Sequence, residues 1–282
     1  MIFSPKLFVL QEALMTEKFH PGKFSLVLSG GGALGIAHLG VLHDLEQRGL
    51  TPGEIVGTSM GGIVGACVAV GMQEREIFAH VQRLTGVFNW IQFSFSGNAV
   101  VDTRKIGALF TGMFHDTRMS GTRIPLKIIA TNLKNGNKRV FDAGDDILIN
   151  DAVLATMAIP GIFAEHTIEG DIYGDGFLCE NLGVGEATLA NVLAVDVLGK
   201  NAFSNALPTN TFKTMNILEM FERSMRLLIY NQTRTLLSNS TRRVCLVEPA
   251  TNGFKTFHFH KAAEIRALGL GLLDGALSGG CL

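Results

Sequence analysis

The sequence predicts an α/β fold, a mostly parallel sheet lying between two helical layers, and three observations carry that expectation. Phe24-Ser25-Leu26-Val27-Leu28-Ser29 is an apolar strand pattern that runs into Gly30-Gly31-Gly32-Ala33-Leu34-Gly35, then into a helix over 36–48 with Leu39, Leu42 and Leu45 on one side. The short apolar pair Ile55-Val56 leads into Gly57-Thr58-Ser59-Met60-Gly61 and a small-residue helix over 60–70. Strand and helix patterns go on alternating to the end of the chain, the layout of parallel strands joined by crossover helices.

The remaining elements follow in order. A helical stretch runs to about residue 84, and residues 86–122 are aromatic-rich, with Phe88, Trp90, Phe93, Phe95, Phe110 and Phe114. Such a region serves as a lid, the wall of an acyl pocket, or plain core. A strand over 126–132, a hairpin over 136–141 and a helix over 146–158 come next, followed by a glycine-flanked loop carrying Asp175. A strand over 191–197, a long helix near 214–239, a strand over 243–248 and a last helix from 261 complete the chain. Residues 1–22 read as an added N-terminal segment. Phe3, Leu7, Leu10 and Leu14 form an apolar helical stripe there, suited to packing on the domain or pairing with a second copy. Its sharper alternative is an interfacial helix that helps the protein reach lipid. Residues 23–276 form the main domain, and 277–282 are expected to lack fixed structure.

Ser59 sits between Gly57 and Gly61 in a G-x-S-x-G pentapeptide, the pattern of a nucleophile elbow. The glycines permit a strained strand-to-helix turn that lifts the hydroxyl off the sheet. The Gly30–Gly35 loop lies at a strand end before a helix, where backbone N–H groups converge on an anion. That anion is either a nucleotide phosphate or the oxyanion of an acyl-transfer intermediate. The loop satisfies G-x-G-x-x-G, but no acidic residue closes a following strand, and no lysine supplies a P-loop. The oxyanion reading is preferred because the serine elbow is next door, with Gly30, Gly31, Gly32 and Met60 as the donors. Further on, Asp175 lies between Gly174 and Gly176, a carboxylate placed to reach back to a hydroxyl.

With these pieces the chain resembles the patatin-like phospholipases, lipid acyl hydrolases with a Ser-Asp dyad. Gly30 to Gly35 match the family's G-G-G-x-[R/K]-G except at Leu34, and the G-x-S-x-G around Ser59 matches in full. Asp175-Gly176 fits its Asp-Gly dipeptide, in a run to Leu182 similar to D-G-G-x-x-x-N-x-P, with Phe177 and Gly183 as departures. Ala155-Thr156-Met157-Ala158-Ile159-Pro160-Gly161-Ile162-Phe163 is similar to A-S-x-A-x-P-x-x-F, and Ile129 to Phe141 is also familiar. The resemblance covers about Lys23 to Ala276. It implies a patatin-like three-layer fold and a Ser59 acyl-enzyme formed with Asp175 as partner. Gly35, Gly57, Gly61 and Gly176 shape the loops. A lipid or lysolipid ester is the implied substrate, and neither metal nor cofactor is implied.

Two other readings stay open. An α/β-hydrolase esterase with a Ser-Asp-His triad would draw on His258 or His260, since the chain order fits; Phe257-His258-Phe259-His260 alternates like a strand, and rim positions are the plainer account. A catalytically silent lipid-binding relative is the other. His38 is expected to cap or pack a helix, Asp171 is the second choice of carboxylate, and Asp196 reads as a strand-end turn or helix-cap residue. Asp102 and Asp151 read as helix N-terminal acids.

The 282 residues suit one domain with a large core. A net charge of −1 leaves no basic field for nucleic acid or strong attraction to anionic lipid. The hydrophobic content of 47% and the 19 phenylalanines are compatible with an acyl pocket. Ile55 to Met72 is an uncharged run long enough for a membrane span, but its five glycines and the serine favour a buried helix. Cys67, Cys179, Cys245 and Cys281 show neither metal-site spacing nor a disulfide framework. No secretory-leader pattern is present, so a cytoplasmic protein is expected, with peripheral contact to a membrane and an oligomer through the N-terminal segment as further expectations.

Overall fold

The computed structural model describes residues 22–83, 103–203 and 214–278. The N-terminal stripe, Asp102, and the aromatics Phe88, Trp90, Phe93 and Phe95 lie outside the described residues. An eight-stranded sheet forms the centre, its hydrogen-bonded order β5-β6-β3-β2-β1-β7-β8, with β4 also paired to β3. The strands are β1 (Phe24–Leu28), β2 (Glu54–Thr58), β3 (Leu126–Asn132), β4 (Lys138–Phe141), β5 (His166–Ile168), β6 (Asp171–Asp175), β7 (Asn191–Val195) and β8 (Arg243–Val247). The run β3-β2-β1-β7-β8 is parallel, whereas β4, β5 and β6 pair antiparallel.

Alternation places successive strand residues on opposite faces. Leu26, Leu28, Ile55, Ile128, Ala130, Leu193 and Val195 enter a large core. Val27, Val56, Ile129, Val192 and Ala194 enter a smaller one with Leu182, Val184 and Ala187. Burial on both faces is the reason these strands are almost wholly apolar. The larger core packs beneath α1 (Ala37–Gln47), α2 (Met60–Ala69), α3 (Thr103–Phe114) and α4 (Ile149–Met157). Phe110 and Phe114 of the aromatic-rich region are buried there. The long helix α5 (Thr214–Ser238) contributes Leu237 to the smaller core, and α6 (Ala262–Ala267) and α7 (Leu272–Ser278) close the chain.

Several expectations are corrected. The segment before Asp175 is a hairpin, β5–β6, turning at Glu169 and Gly170 with φ of 52° and 84°. Asp175 therefore ends a strand. The Phe257–His260 alternation is no strand, since Phe259–Lys261 is a 3-10 helix. The last helix is split in two and extends through Ser278. Cys67 and Cys179 are free, but Cys245 is buried and disulfide-bonded, a pairing its spacing did not announce. The Ile55–Met72 run divides into β2 and α2, and no helix among the described residues is long and apolar enough to cross a membrane.

Sheet register brings two distant pieces of chain together. Over Ile128–Thr131 one edge of β3 is taken by β4. The other edge holds β2, with Thr58 opposite Ile129, and then β6, with Asp175 opposite Ala130. β2 and β6 thus meet end to end on consecutive residues of β3, which sets Ser59 beside Asp175.

Candidate active site

Ser59 leaves β2 with φ 52° and ψ −123°, a backbone region that costs a non-glycine residue on the order of 1–3 kcal/mol. The strain is sustained by crowding. A Cβ on Gly57 would lie 2.5 Å from the Gly61 carbonyl oxygen, and one on Gly61 would lie 2.2 Å from that of Leu28. Only glycines let α2 fold back this closely on β1 and β2. The Ser59 N–H donates to Thr156 Oγ1 at 2.8 Å, and that hydroxyl in turn donates to the Ile129 carbonyl. The C-terminal end of α4 thereby fixes the turn, and the Ala158 carbonyl beyond it accepts the Asp175 N–H at 2.9 Å.

The Ser59 hydroxyl donates to Asp175 Oδ2 at 2.6 Å, and Phe177 N–H donates to Oδ1 at 3.0 Å. Asp175 is fully buried. Burial pushes its carboxyl up to about 7, against the pull of the Ser59 and Phe177 hydrogen bonds. Gly176 lets the chain turn tightly here, for a Cβ would meet the Ile129 carbonyl oxygen at 2.2 Å. The loop beyond is pinned by Thr58 Oγ1 on the Glu180 carbonyl at 3.1 Å and by Lys138 Nζ on Glu180 Oε2 at 2.6 Å.

The glycine loop follows β1 at the carboxyl ends of the parallel strands, where open α/β sheets bind ligands. Gly30 passes so near the serine that a Cβ on it would be 3.0 Å from Ser59 Cβ. Its N–H donates to the Asn181 carbonyl at 3.3 Å, so Gly30 is already committed as a donor. Its carbonyl accepts from Asn181 Nδ2 at 3.4 Å, and the Gly31 carbonyl accepts Leu34 N–H at 3.2 Å. In a trans peptide the N–H points opposite the C=O. With both carbonyls tied back, the Gly31 and Gly32 N–H groups project the other way, unpaired among the described residues. Met60 N–H, at the start of α2, is likewise free, and the Met60 side chain packs against Gly35. Leu34 is buried, which agrees with the missing cation at that position.

His38 Nε2–H donates to the Ser29 carbonyl at 2.8 Å. Complete burial lowers its pKa to about 4, so it is a neutral packing residue, as expected. Asp171 starts β6, far along the strand from the serine, and pairs with Lys134 at 3.4 Å. Asp196 closes the turn after β7, its Oδ1 accepting from Leu198 N–H at 3.0 Å, with burial pushing it up to about 6. Asp151 lies in the first turn of α4 and meets His166 at 3.0 Å. His258 and His260 face each other with ring centroids 5.2 Å apart, and His258 Nδ1 accepts from Lys255 N–H at 3.2 Å. Among the described residues no histidine bonds Ser59 or Asp175.

Beside Met60 lies a small, largely apolar slot of about 20 Å³, lined by Ile63, Cys67, His80, Phe110, Met113 and Phe259. Burial pushes the Cys67 thiol up to about 12, so it presents sulfur as apolar surface rather than as a nucleophile. Sequence reasoning gave no role to Thr156, Asn181 or Thr256. The first two lie inside the quoted motifs, which is the signal that marks them; Thr256 lies in none.

A hydroxyl bonded to a buried carboxylate, beside three backbone donors unpaired among the described residues, has the parts that acyl transfer requires, and its scaffold is a mostly parallel α/β sheet. The patatin-like phospholipase profile matches residues 26–188, more than half of the chain, and the chain belongs to that family. An uncharacterized NTE family protein of Mycobacterium tuberculosis is 29% identical over 76% of this chain and 60% of its own length. The lysophospholipase NTE1 of Kluyveromyces lactis is 27% identical over 86% of this chain but only 18% of its own. This chain thus spans less than two thirds of the length of these relatives. The crystal structure of VipD from Legionella pneumophila has the same fold at 14% identity, with a TM-score of 0.50 over 92% of this chain and 67% of that one.

Proposed function

We propose that the protein hydrolyses carboxylic esters of lipids or lysolipids through an acyl-enzyme on Ser59. The observation that carries this reading is the 2.6 Å hydrogen bond from Ser59 to the buried Asp175. In its charged form Asp175 takes the hydroxyl proton as Oγ attacks the ester carbonyl. The carbonyl oxygen becomes an oxyanion, met by the N–H groups of Gly31 and Gly32 with Met60 alongside. Such donors are each worth about 3 kcal/mol of barrier. Collapse expels the alcohol, which takes the proton from Asp175, and water then cleaves the acyl-enzyme by the same steps. The apolar lining beside Met60 is the place for the acyl chain, and at about 20 Å³ the cavity has to widen by side-chain movement to admit one. The name of the Kluyveromyces relative favours single-chain lysolipids over other esters.

The test is covalent labelling with a fluorophosphonate, read by intact mass. Wild type is expected to gain one adduct, Ser59→Ala none, and Asp175→Asn to label at least 10³-fold more slowly. His258→Ala is expected to label like wild type. Loss of labelling in His258→Ala would establish the triad reading instead. A folded wild type that never labels would leave a silent lipid-binding relative.

A further inference from the structure

The glycine loop is held from one side by Asn181 and from the other by a segment near the end of the chain. Ala33 N–H donates to the Thr256 carbonyl at 2.8 Å. Gly32, at φ +58°, passes so close that a Cβ on it would be 2.5 Å from that same oxygen. Thr256 in turn is gripped by α5. Its N–H and Oγ1 donate to Glu222 Oε1 at 2.9 and 2.6 Å. Arg226, one turn along, bonds Glu222 at 2.7 Å and donates to Thr256 Oγ1 at 3.3 Å and the Phe254 carbonyl at 3.2 Å. The hydroxyl gives its one proton to the carboxylate and accepts a bond from the guanidinium, so it is paired as both donor and acceptor.

From this geometry we infer that Glu222, Arg226 and Thr256 form a brace that positions the Gly31–Gly32 donors. The inference rests on the hydrolase reading and goes beyond it, because all three residues lie outside the stretch matched by the family profile. They touch no reacting atom; they act through the loop. Thr256 is the hinge of the arrangement, since its carbonyl binds the loop while its N–H and hydroxyl bind the helix. Although burial alone would raise the Glu222 carboxyl, Arg226 and the Thr256 bonds hold it below its ordinary value. The brace therefore stays charged at neutral pH. Pre-set donors matter because misplacement by about 1 Å in such a site costs on the order of 100-fold in rate.

The experiment compares Thr256→Val, which keeps shape but loses the hydroxyl, with Thr256→Ser, which keeps the hydroxyl, and adds Glu222→Gln as an independent cut. Hydrolysis of p-nitrophenyl butyrate, inhibition by a trifluoromethyl ketone that forms a hemiketal oxyanion, and hydrogen exchange of the peptide containing residues 29–35 are measured on the full chain. In Thr256→Val and Glu222→Gln, kcat is expected to fall about 10- to 100-fold with KM within about twofold. Ketone affinity should fall in parallel, and loop exchange should rise. Thr256→Ser should restore all of these. Unchanged kcat and loop exchange in both cuts, or a loss that Thr256→Ser fails to restore, overturns the brace. Because exchange is read without turnover, an inactive wild type would sink the hydrolase reading, and the brace's catalytic role with it, whereas an active wild type with indifferent variants would sink the brace alone.

Discussion

The serine elbow and the glycine loop stand side by side, yet they are held in different ways. The elbow is fixed mainly by close packing: Gly57 and Gly61 allow backbone to approach backbone, and Thr156 adds one hydrogen bond. The loop is fixed by hydrogen bonds, two of its three partners coming from remote chain. His38 holds Ser29, Asn181 clamps Gly30 at both ends, and Thr256 takes Ala33. A nucleophile has to be strained into place, and strain is carried by tight packing. Oxyanion donors have to be aimed, and aiming a flexible glycine run needs partners from elsewhere.

Paired glycine substitutions would break or sharpen this comparison most. In Gly61→Ala the new methyl meets backbone of Leu28 and Ser29 that cannot yield. A cost of about 3 kcal/mol is expected, with Tm lower by roughly 6–12 °C. In Gly32→Ala the left-handed φ costs about 1 kcal/mol and the methyl displaces Thr256, so Tm should drop less while kcat falls about 100-fold. Thermal melts and ester turnover on both variants check this. If Gly32→Ala lost stability as heavily as Gly61→Ala, the contrast between fold-bearing and aiming glycines would fail.

The pH behaviour comes next in size. With Asp175 titrating at about 7, kcat/KM should rise tenfold per pH unit below that point and level off above it. The midpoint should stay in place in His258→Ala, and a midpoint that moved there would mean a histidine carries the proton. Stability runs the opposite way. The unfolded carboxyl loses its proton near 4 and the folded one only near 7, so the folded state binds more protons between these values. Raising pH across that window weakens the fold. Asp175→Asn, uncharged throughout, should therefore flatten the Tm profile and melt higher than wild type at pH 8 while remaining inactive. A lower melt at pH 8 would show that the hydrogen bonds to Asp175 outweigh its buried charge.

How much of this was legible follows from the same contrast. Ser59, Asp175 and the glycine loop announce themselves because glycine spacing records close backbone approach, a local demand. The strand at 126–132 was readable to the residue, since burial on both faces leaves an apolar run. The β5–β6 hairpin was not, because His166–Ile168 and Asp171–Asp175 carry too few apolar residues to separate a short edge strand from a loop. The histidine alternation at 257–260 misled for a related reason: period two over four residues also fits a 3-10 turn. Thr256 was invisible because its bond to Ala33 crosses more than 200 residues of chain, and Glu222 and Arg226 because they reach Thr256 from 34 and 30 residues away, distances that leave no spacing to read.

The slot gives the smallest expected effect and the finest test, since it hangs on the elbow's helix and not on the loop. Cys67 lies on α2 two turns beyond Ser59, Met113 lies on α3, and both line the slot. Each buried methylene of an acyl chain is worth about 0.8 kcal/mol, or roughly fourfold in kcat/KM. Cys67→Leu should shorten the preferred chain, and Met113→Ala should lengthen it. The readout is the ratio of kcat/KM for p-nitrophenyl dodecanoate to that for the butyrate, expected to move several-fold in opposite directions. The butyrate value alone should hardly change, because the elbow and the loop are untouched. If both variants moved both substrates together, the slot would be ordinary core, and the acyl chain would have to lie elsewhere.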